Sequence, residues 1–298
     1  MGSEPDTGIE GVANASSVGV RARSHWLRNV LLVVVAVIVI FLAVAVGSYV
    51  FRPQPGARSI GAAAGAFEAT TTTVLTPRAF TLPPAGVYRA TGSGFERIAV
   101  PPDTIHDSNI MPVSVSYLPG GCWRWHLDYS TAHWHEYDFC PHDGRLLLER
   151  QQNSLTWDFG LTSVANLARF TCDPPSPIVV ESPRPGEVFA HRCAGTNTAV
   201  SGTSTAAGSV TIVGIRDVRV GGHSVQAIEM TRHQTISGGQ SGTLDETWCF
   251  ATATGMPLTE SRAYHLTTSS SIGDIAYTEI GSWHLDSMVP AVSGGEVP

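Results

Sequence analysis

The chain has 298 residues, and its 18 basic and 25 acidic side chains give a formal net charge of −7. All of the basic residues are Arg. Nucleic-acid-binding proteins usually have a surplus of basic residues, whereas acidic residues predominate in this chain, so we exclude nucleic-acid binding. Charged residues make up only 14 % of the chain, compared with about 25 % in an average domain. This deficit indicates a membrane segment and long stretches of small residues.

An apolar segment occupies residues 29–51, after a tail of residues 1–28 that we predict to be disordered and cytoplasmic. The segment has no charged residue, and a helix of this length spans roughly 33 Å, enough for a hydrocarbon core of about 30 Å. Arg21, Arg23 and Arg28 precede it, so the positive-inside bias places the remainder outside the cytoplasm. We predict a single-pass signal anchor in the cell membrane.

A cleavable signal peptide is the alternative interpretation of this segment. Ala43 and Ala45 form the small-x-small pattern that signal peptidases cut, which would place the mature N-terminus at Val46. The apolar segment is longer than the roughly 7–15 residues of a typical signal-peptide core. Its length favours the uncleaved anchor.

Residues 52–84 are rich in Pro, Ala, Gly and Thr, which cannot bury much apolar surface. We predict a flexible stalk there, a folded domain over residues 85–290, and a disordered tail over residues 291–298.

The folded domain is predicted to be all-β and antiparallel. Short segments with period-two alternation are separated by Gly and Pro turns. The order of strands, Gly turns and Cys in residues 115–149 resembles that in residues 218–262. This similarity suggests two related four-stranded units, at about 85–172 and 186–290, which form a curved sheet or half-barrel; chance similarity is the alternative. The five prolines of 173–185 favour an extended connector. Residues 161–169 fit a short helix or a strand equally well.

The cysteines are expected to form disulfides, because these bonds persist outside the cytoplasm. If Cys122 pairs with Cys140 across a hairpin, residues whose numbers sum to 262 lie opposite each other. This register places Arg124 opposite Asp138 on one face and gathers aromatic side chains on the other. Cys172 and Cys193 form the next predicted pair. Cys249 then remains, either as a free thiol or as a substitute partner.

Histidines form the densest group of candidate metal ligands. His133 and His135 share one strand face, a geometry that can ligate zinc or copper. In the register above, His126 lies on the opposite face, so a site with all three histidines requires another register. Structural histidines at a sheet edge are the expected interpretation, and we predict no cofactor.

The predicted inward face of the hairpin offers a candidate site for an apolar ligand, lined by Trp123, Trp125, Tyr137 and Phe139. Packing of the sheet core is the alternative role of these rings. Ser241 lies in a GQSG sequence that lacks the full nucleophile-elbow pattern. We find no catalytic group of residues and predict no enzymatic activity.

Several segments, including GGCWRWHLDYSTAHWHEYDFCPHDG, PGEVFAHRCAG and TGMPLTESRAYH, resemble uncharacterised single-pass envelope proteins of high-GC actinobacteria. At the level of fold, the second half is similar to the half-barrel sheets of periplasmic lipoprotein carriers. The resemblance depends on Cys, Trp and turn Gly residues and implies no catalytic residue.

We therefore expect a membrane-anchored, extracytoplasmic, non-catalytic binding module of the cell envelope, with an apolar or lipid-like ligand. Two alternatives remain open: a module that docks an envelope protein, and a metal-dependent enzyme that uses His126, His133 and His135.

Overall fold

The computed structural model describes residues 19–68, 81–270 and 273–293, and within these it contains two α-helices, one short 3₁₀ helix (Pro119–Gly121) and fourteen strands. The elements are α1 (Gly19–Val50), α2 (Ile60–Glu68), β1 (Gly86–Ala99), β2 (Pro102–His106), β3 (Ile110–Leu118), β4 (Cys122–Asp128), β5 (His133–His142), β6 (Arg145–Asp158), β7 (Ser163–Val180), β8 (Val188–Asn197), β9 (Val200–Val220), β10 (His223–Gly238), β11 (Gln240–Ala251), β12 (Pro257–Ser270), β13 (Gly273–Leu285) and β14 (Val292–Ser293).

Helix α1 begins before the predicted segment 29–51. Its part from His25 to Val50 contains an 18-residue stretch with a mean hydropathy of 3.4, and it is long and apolar enough to cross a membrane. A signal sequence near the N-terminus would meet the same criterion of length and apolar composition, so length and composition do not decide between an anchor and a signal sequence. Most of the predicted tail, residues 1–18, lies outside the described residues.

Twelve antiparallel strands, β1 and β3 to β13, form one closed barrel. Each pairs with its neighbour along the chain, and β13 returns to pair with β1 from Ala90 opposite Leu285 to Ile98 opposite Tyr277. The predicted half-barrel is therefore wrong, because its two edge strands satisfy each other's backbone groups. The two predicted four-stranded units are parts of one continuous sheet.

The proline-rich segment 173–185 is not wholly a connector, since β7 continues to Val180. Beyond Cys172, β7 pairs only with β6, whereas its pairing with β8 covers Ala168 to Cys172. Prolines are tolerated there because one side of the strand needs no backbone donor. Residues 163–169, which fitted a helix or a strand, belong to β7.

The predicted stalk contains helix α2, which is packed rather than flexible. The Ser59 hydroxyl caps it by accepting a hydrogen bond from the Ala62 amide at 3.0 Å. Phe67 and two alanines of the helix are buried against Val87 of β1. The second half of the predicted stalk, residues 69–80, lies outside the described residues. Within the predicted C-terminal tail, β14 pairs with the start of β1.

Both predicted disulfides are present, Cys122–Cys140 and Cys172–Cys193. The second joins β7 to β8, where the two cysteines lie directly opposite each other. Cys249 is a buried free thiol.

A buried acidic chamber inside the barrel

The β4–β5 hairpin has the register predicted from its disulfide. Arg124 lies opposite Asp138, and His126 lies opposite Glu136. On the outer face, Nε of Arg124 donates to Asp138 at 2.8 Å, and the His126 ring lies 3.3 Å from Glu136. His126 therefore faces away from the other two histidines, and the hypothesis of a metal site that combines all three is wrong.

The inward face of the hairpin contributes to an aromatic layer, formed by Trp123, Trp125, Tyr137, Phe139, Trp248, Phe250 and Trp283, all of which are buried. Rings from strands that are not neighbours in the sheet contact each other inside the barrel. The Trp125 and Trp283 centroids are 5.6 Å apart, and those of Tyr137 and Trp248 are 5.4 Å apart. The four rings predicted to line a ligand site thus pack against other rings, as a barrel core does.

Beside this layer lies a cluster of buried charged side chains that we call the acidic chamber: Glu96, Asp107, His133, His135, Arg232, Glu246, Glu260, Arg262 and Glu279. They come from seven different strands or loops, which only barrel closure brings together. His133 and His135 therefore lie in the barrel interior, and their expected place at a sheet edge is wrong.

Arg262 is the central cation of the chamber, and its side chain is fully buried. Its Nη2 donates to Asp107 at 2.7 Å, its Nε donates to Glu279, and its guanidinium carbon lies 3.8 Å from the centre of the Tyr129 ring. Gly281 makes room for this group, because a Cβ there would lie 2.7 Å from Nη1 of Arg262. Burial opposes ionisation of Glu279, but the charge of Arg262 is the main effect in the other direction, and the pKa of Glu279 is lowered to about 2.

Arg232 and Glu246 form the second ion pair of the chamber. Nε and Nη2 of Arg232 donate to the two oxygens of Glu246 at 2.6 and 2.8 Å. The Trp248 indole and the Tyr264 hydroxyl also donate to Glu246. This carboxylate is fully satisfied, which is the usual condition for burying a charge.

Glu260 has a different environment, since its hydrogen-bond donors are neutral. The hydroxyl of Tyr129 donates to its Oε2 at 2.9 Å, and the Trp283 indole donates to the same oxygen. Burial raises the pKa of Glu260 to about 7, despite the opposing effect of Arg262.

The two interior histidines differ in their partners. Nδ1 of His133 lies 2.6 Å from Oε1 of Glu96. Burial raises the pKa of Glu96 to about 7, although His133 acts in the opposite direction. Nδ1 of His135 lies 3.3 Å from the Tyr137 hydroxyl. Burial lowers the pKa of His135 well below its usual value, which favours the neutral ring.

Six buried polar atoms of the chamber lack a hydrogen-bond partner among the described residues: Glu96 Oε2, Asp107 Oδ1, His133 Nε2, His135 Nε2, Glu260 Oε1 and Arg262 Nη1. Each such atom costs about 1–3 kcal/mol if nothing satisfies it. The chamber also holds five carboxyl groups but only two guanidinium groups. It therefore favours a species that brings positive charge.

The two histidines were predicted as candidate ligands from the sequence, but the acids and arginines that surround them were not. On β12, Glu260, Arg262 and Tyr264 alternate with Ser and Ala, so their face resembles the solvent side of a strand. The available signal was that the same period-two face of β11 carries Glu246 together with Trp248. An acid beside a large aromatic residue on one face is unusual for an exposed strand.

Comparison with known proteins gives no family for this chain. No protein-family profile matches it, and no curated protein matches it. The predicted resemblance to actinobacterial envelope proteins thus receives no support.

Among solved structures, the hypothetical lipoprotein YmcC from Escherichia coli matches with a TM-score of 0.29 and 11 % identity, covering 64 % of this chain and 83 % of that one. A similarity this distant carries no functional argument.

Proposed function

We propose that this chain is a membrane-tethered, non-catalytic binding module of the cell envelope, and that the acidic chamber is its binding site for a small cation. Helix α1 is the proposed anchor, with the N-terminus in the cytoplasm and the barrel outside. The two disulfides support this placement, since such bonds persist in oxidising compartments.

The observation that carries the binding proposal is the set of unpartnered polar atoms in a chamber with an acidic excess. Five of the six atoms are carboxylate oxygens or imidazole nitrogens that can bind a cation: those of Glu96, Asp107, His133, His135 and Glu260. A bound cation would satisfy these groups and offset the surplus carboxylates, whereas an anion would add to the repulsion.

The apolar-ligand hypothesis is less well supported. Trp123 and Trp125 are fully buried, and their ring neighbours come from the barrel itself. A lipid would have to separate these rings and replace their contacts. A lipid mass that copurifies with the protein would reverse this preference.

The test uses the full chain, produced in an oxidising compartment and purified in detergent without a polyhistidine tag. The protein is refolded from denaturant with Ca²⁺, Zn²⁺ or choline, and bound mass and melting temperature are then measured. A cation at 100 times its Kd stabilises the fold by about 2.7 kcal/mol, which raises the Tm by roughly 5–10 °C.

Glu96→Gln should weaken the response, because it removes an acid of the chamber. Glu229→Gln is the matched control, since this acid pairs with Arg216 on the exposed outer surface. Absence of bound mass and of any Tm shift with all three cations would refute the proposal.

A further inference from the structure

Two histidine nitrogens inside the barrel face the same carboxylate oxygen. Nε2 of His135 lies 3.7 Å from Oε1 of Glu279, and Nε2 of His133 lies 4.0 Å from it. The three ligand atoms all lie within 4.8 Å of one another. In a tetrahedral zinc site, bonds of about 2.1 Å place ligand atoms roughly 3.4 Å apart. A small contraction would therefore let all three atoms bind one ion.

Both nitrogens are free to act as ligands. Neither Nε2 has a hydrogen-bond partner among the described residues, and the side chains are only 1 % and 3 % exposed. A buried, unpartnered imidazole nitrogen that points at a carboxylate is costly unless something lies between them.

Glu96 supports His133 from behind. Its Oε1 lies 2.6 Å from Nδ1 of His133. In the neutral tautomer with the proton on Nδ1, this nitrogen donates to Glu96, and Nε2 has the lone pair that a metal ion needs. Metal-binding histidines usually have such a carboxylate on the other ring nitrogen, because it fixes the tautomer and the ring orientation.

A tyrosine hydroxyl can fix the tautomer of His135 in the same way. The Tyr129 hydroxyl lies 3.5 Å from Nδ1 of His135 and donates its own proton to Glu260, so its oxygen can accept the Nδ1 proton. The Nε2 lone pair of His135 then points toward Glu279.

Arg262 competes for the same carboxylate, since its Nε donates to Oε1 of Glu279. Two features reduce this conflict. A carboxylate oxygen has two lone pairs and can accept from Arg262 while it binds an ion. Arg262 also keeps Asp107 as a second partner at 2.7 Å. A divalent ion would moreover leave the chamber less negative than it is without one.

We propose that His133, His135 and Glu279 bind one divalent transition-metal ion of the zinc class inside the barrel, an inference that rests on the proposed cation-binding function. Two imidazoles and one carboxylate select such ions over Mg²⁺ and Ca²⁺, which prefer oxygen ligands. Because the site is buried, the ion enters during folding or when the barrel opens.

The test loads the full chain with Zn²⁺ by refolding in detergent and measures bound zinc by elemental analysis after dialysis. We expect about one zinc per chain. His135→Gln should weaken binding by about 100-fold or more, and Glu96→Gln by about 10–100-fold, the range typical of residues that support a ligand. His233→Gln is the control, because His233 is exposed and pairs with Asp245 on the outer surface.

A second measurement does not depend on whether the variants fold. The wild-type chain is loaded with Cu²⁺, and the nitrogen hyperfine pattern of its electron paramagnetic resonance spectrum counts the bound imidazoles. Two nitrogens are expected, and none or one would overturn the inference.

The outcomes separate the two proposals. Zinc binding that is unchanged in His135→Gln would overturn the metal site and leave a cation site elsewhere in the chamber. Binding of Ca²⁺ or choline without binding of Zn²⁺ would do the same. Failure of every cation to bind would overturn both proposals.

Discussion

Replacing Arg262 with Met tests whether this guanidinium holds the acidic chamber together. The side chain is fully buried and pairs with Asp107 and Glu279, while Glu96 lies 3.7 Å from its Nη2. Met has a similar length and no charge. The substitution therefore removes the central cation and leaves its carboxylate partners in place.

The expected loss of stability is large because the partners stay buried. Removing one member of a buried ion pair costs about 3–5 kcal/mol, most of which is the penalty of the uncompensated charge that remains. For a domain of about 200 residues, this loss lowers the Tm by roughly 10 °C. The stability of Arg262→Lys should lie between those of Arg262→Met and the wild type. The Lys ammonium keeps the charge, but it lacks the planar set of donors with which Arg binds two carboxylates.

The assay is denaturant unfolding at neutral pH, followed by Trp fluorescence, which reports on the adjoining aromatic layer. Arg216→Met is the control, because the Arg216 side chain is 53 % exposed and pairs with Glu229 at 3.0 Å on the surface. Its cost should stay below about 1 kcal/mol. An equally small cost for Arg262→Met would refute the argument that this guanidinium stabilises the buried acids.

Three further outcomes are expected. Burial opposes protonation of His126, but its two carboxylate partners outweigh burial and raise the pKa of the ring to about 9. The protonated ring therefore stabilises the fold. Its contribution is complete below the unfolded pKa of about 6.5 and is lost as the pH rises to about 9. At pH 6, the unfolding free energy of the wild type should therefore exceed that of His126→Gln by up to about 3 kcal/mol. The same difference at about pH 9.5 would contradict the raised pKa of His126. Gly281→Ala should lower the Tm because its Cβ would meet the buried guanidinium, whereas Gly65→Ala, with open space around it, should not; equal Tm values would argue against this clash. Replacing both Cys172 and Cys193 with Ala should reduce the unfolding free energy by about 3 kcal/mol, as expected for opening a loop of about 20 residues, and a loss below about 1 kcal/mol in guanidinium unfolding would be inconsistent with that value.

Local rules account for much of this fold. Period-two alternation and Gly turns indicate an antiparallel all-β domain, and one assumed disulfide places each residue of the β4–β5 hairpin opposite its observed partner. Register follows from such short-range information because a shift of one residue would move every side chain to the other face. The apolar segment likewise identifies helix α1.

Barrel closure and the acidic chamber were decided by contacts between distant parts of the chain. The pairing of β1 with β13 joins residues almost 200 positions apart, and no local pattern specifies it. Closure turns one face of every strand inward, so Glu260 and Arg262 are buried instead of lying on the surface. The sequence by itself determined which side chains share a strand face, whereas only the tertiary structure decided which faces meet, because burial depends on long-range pairing.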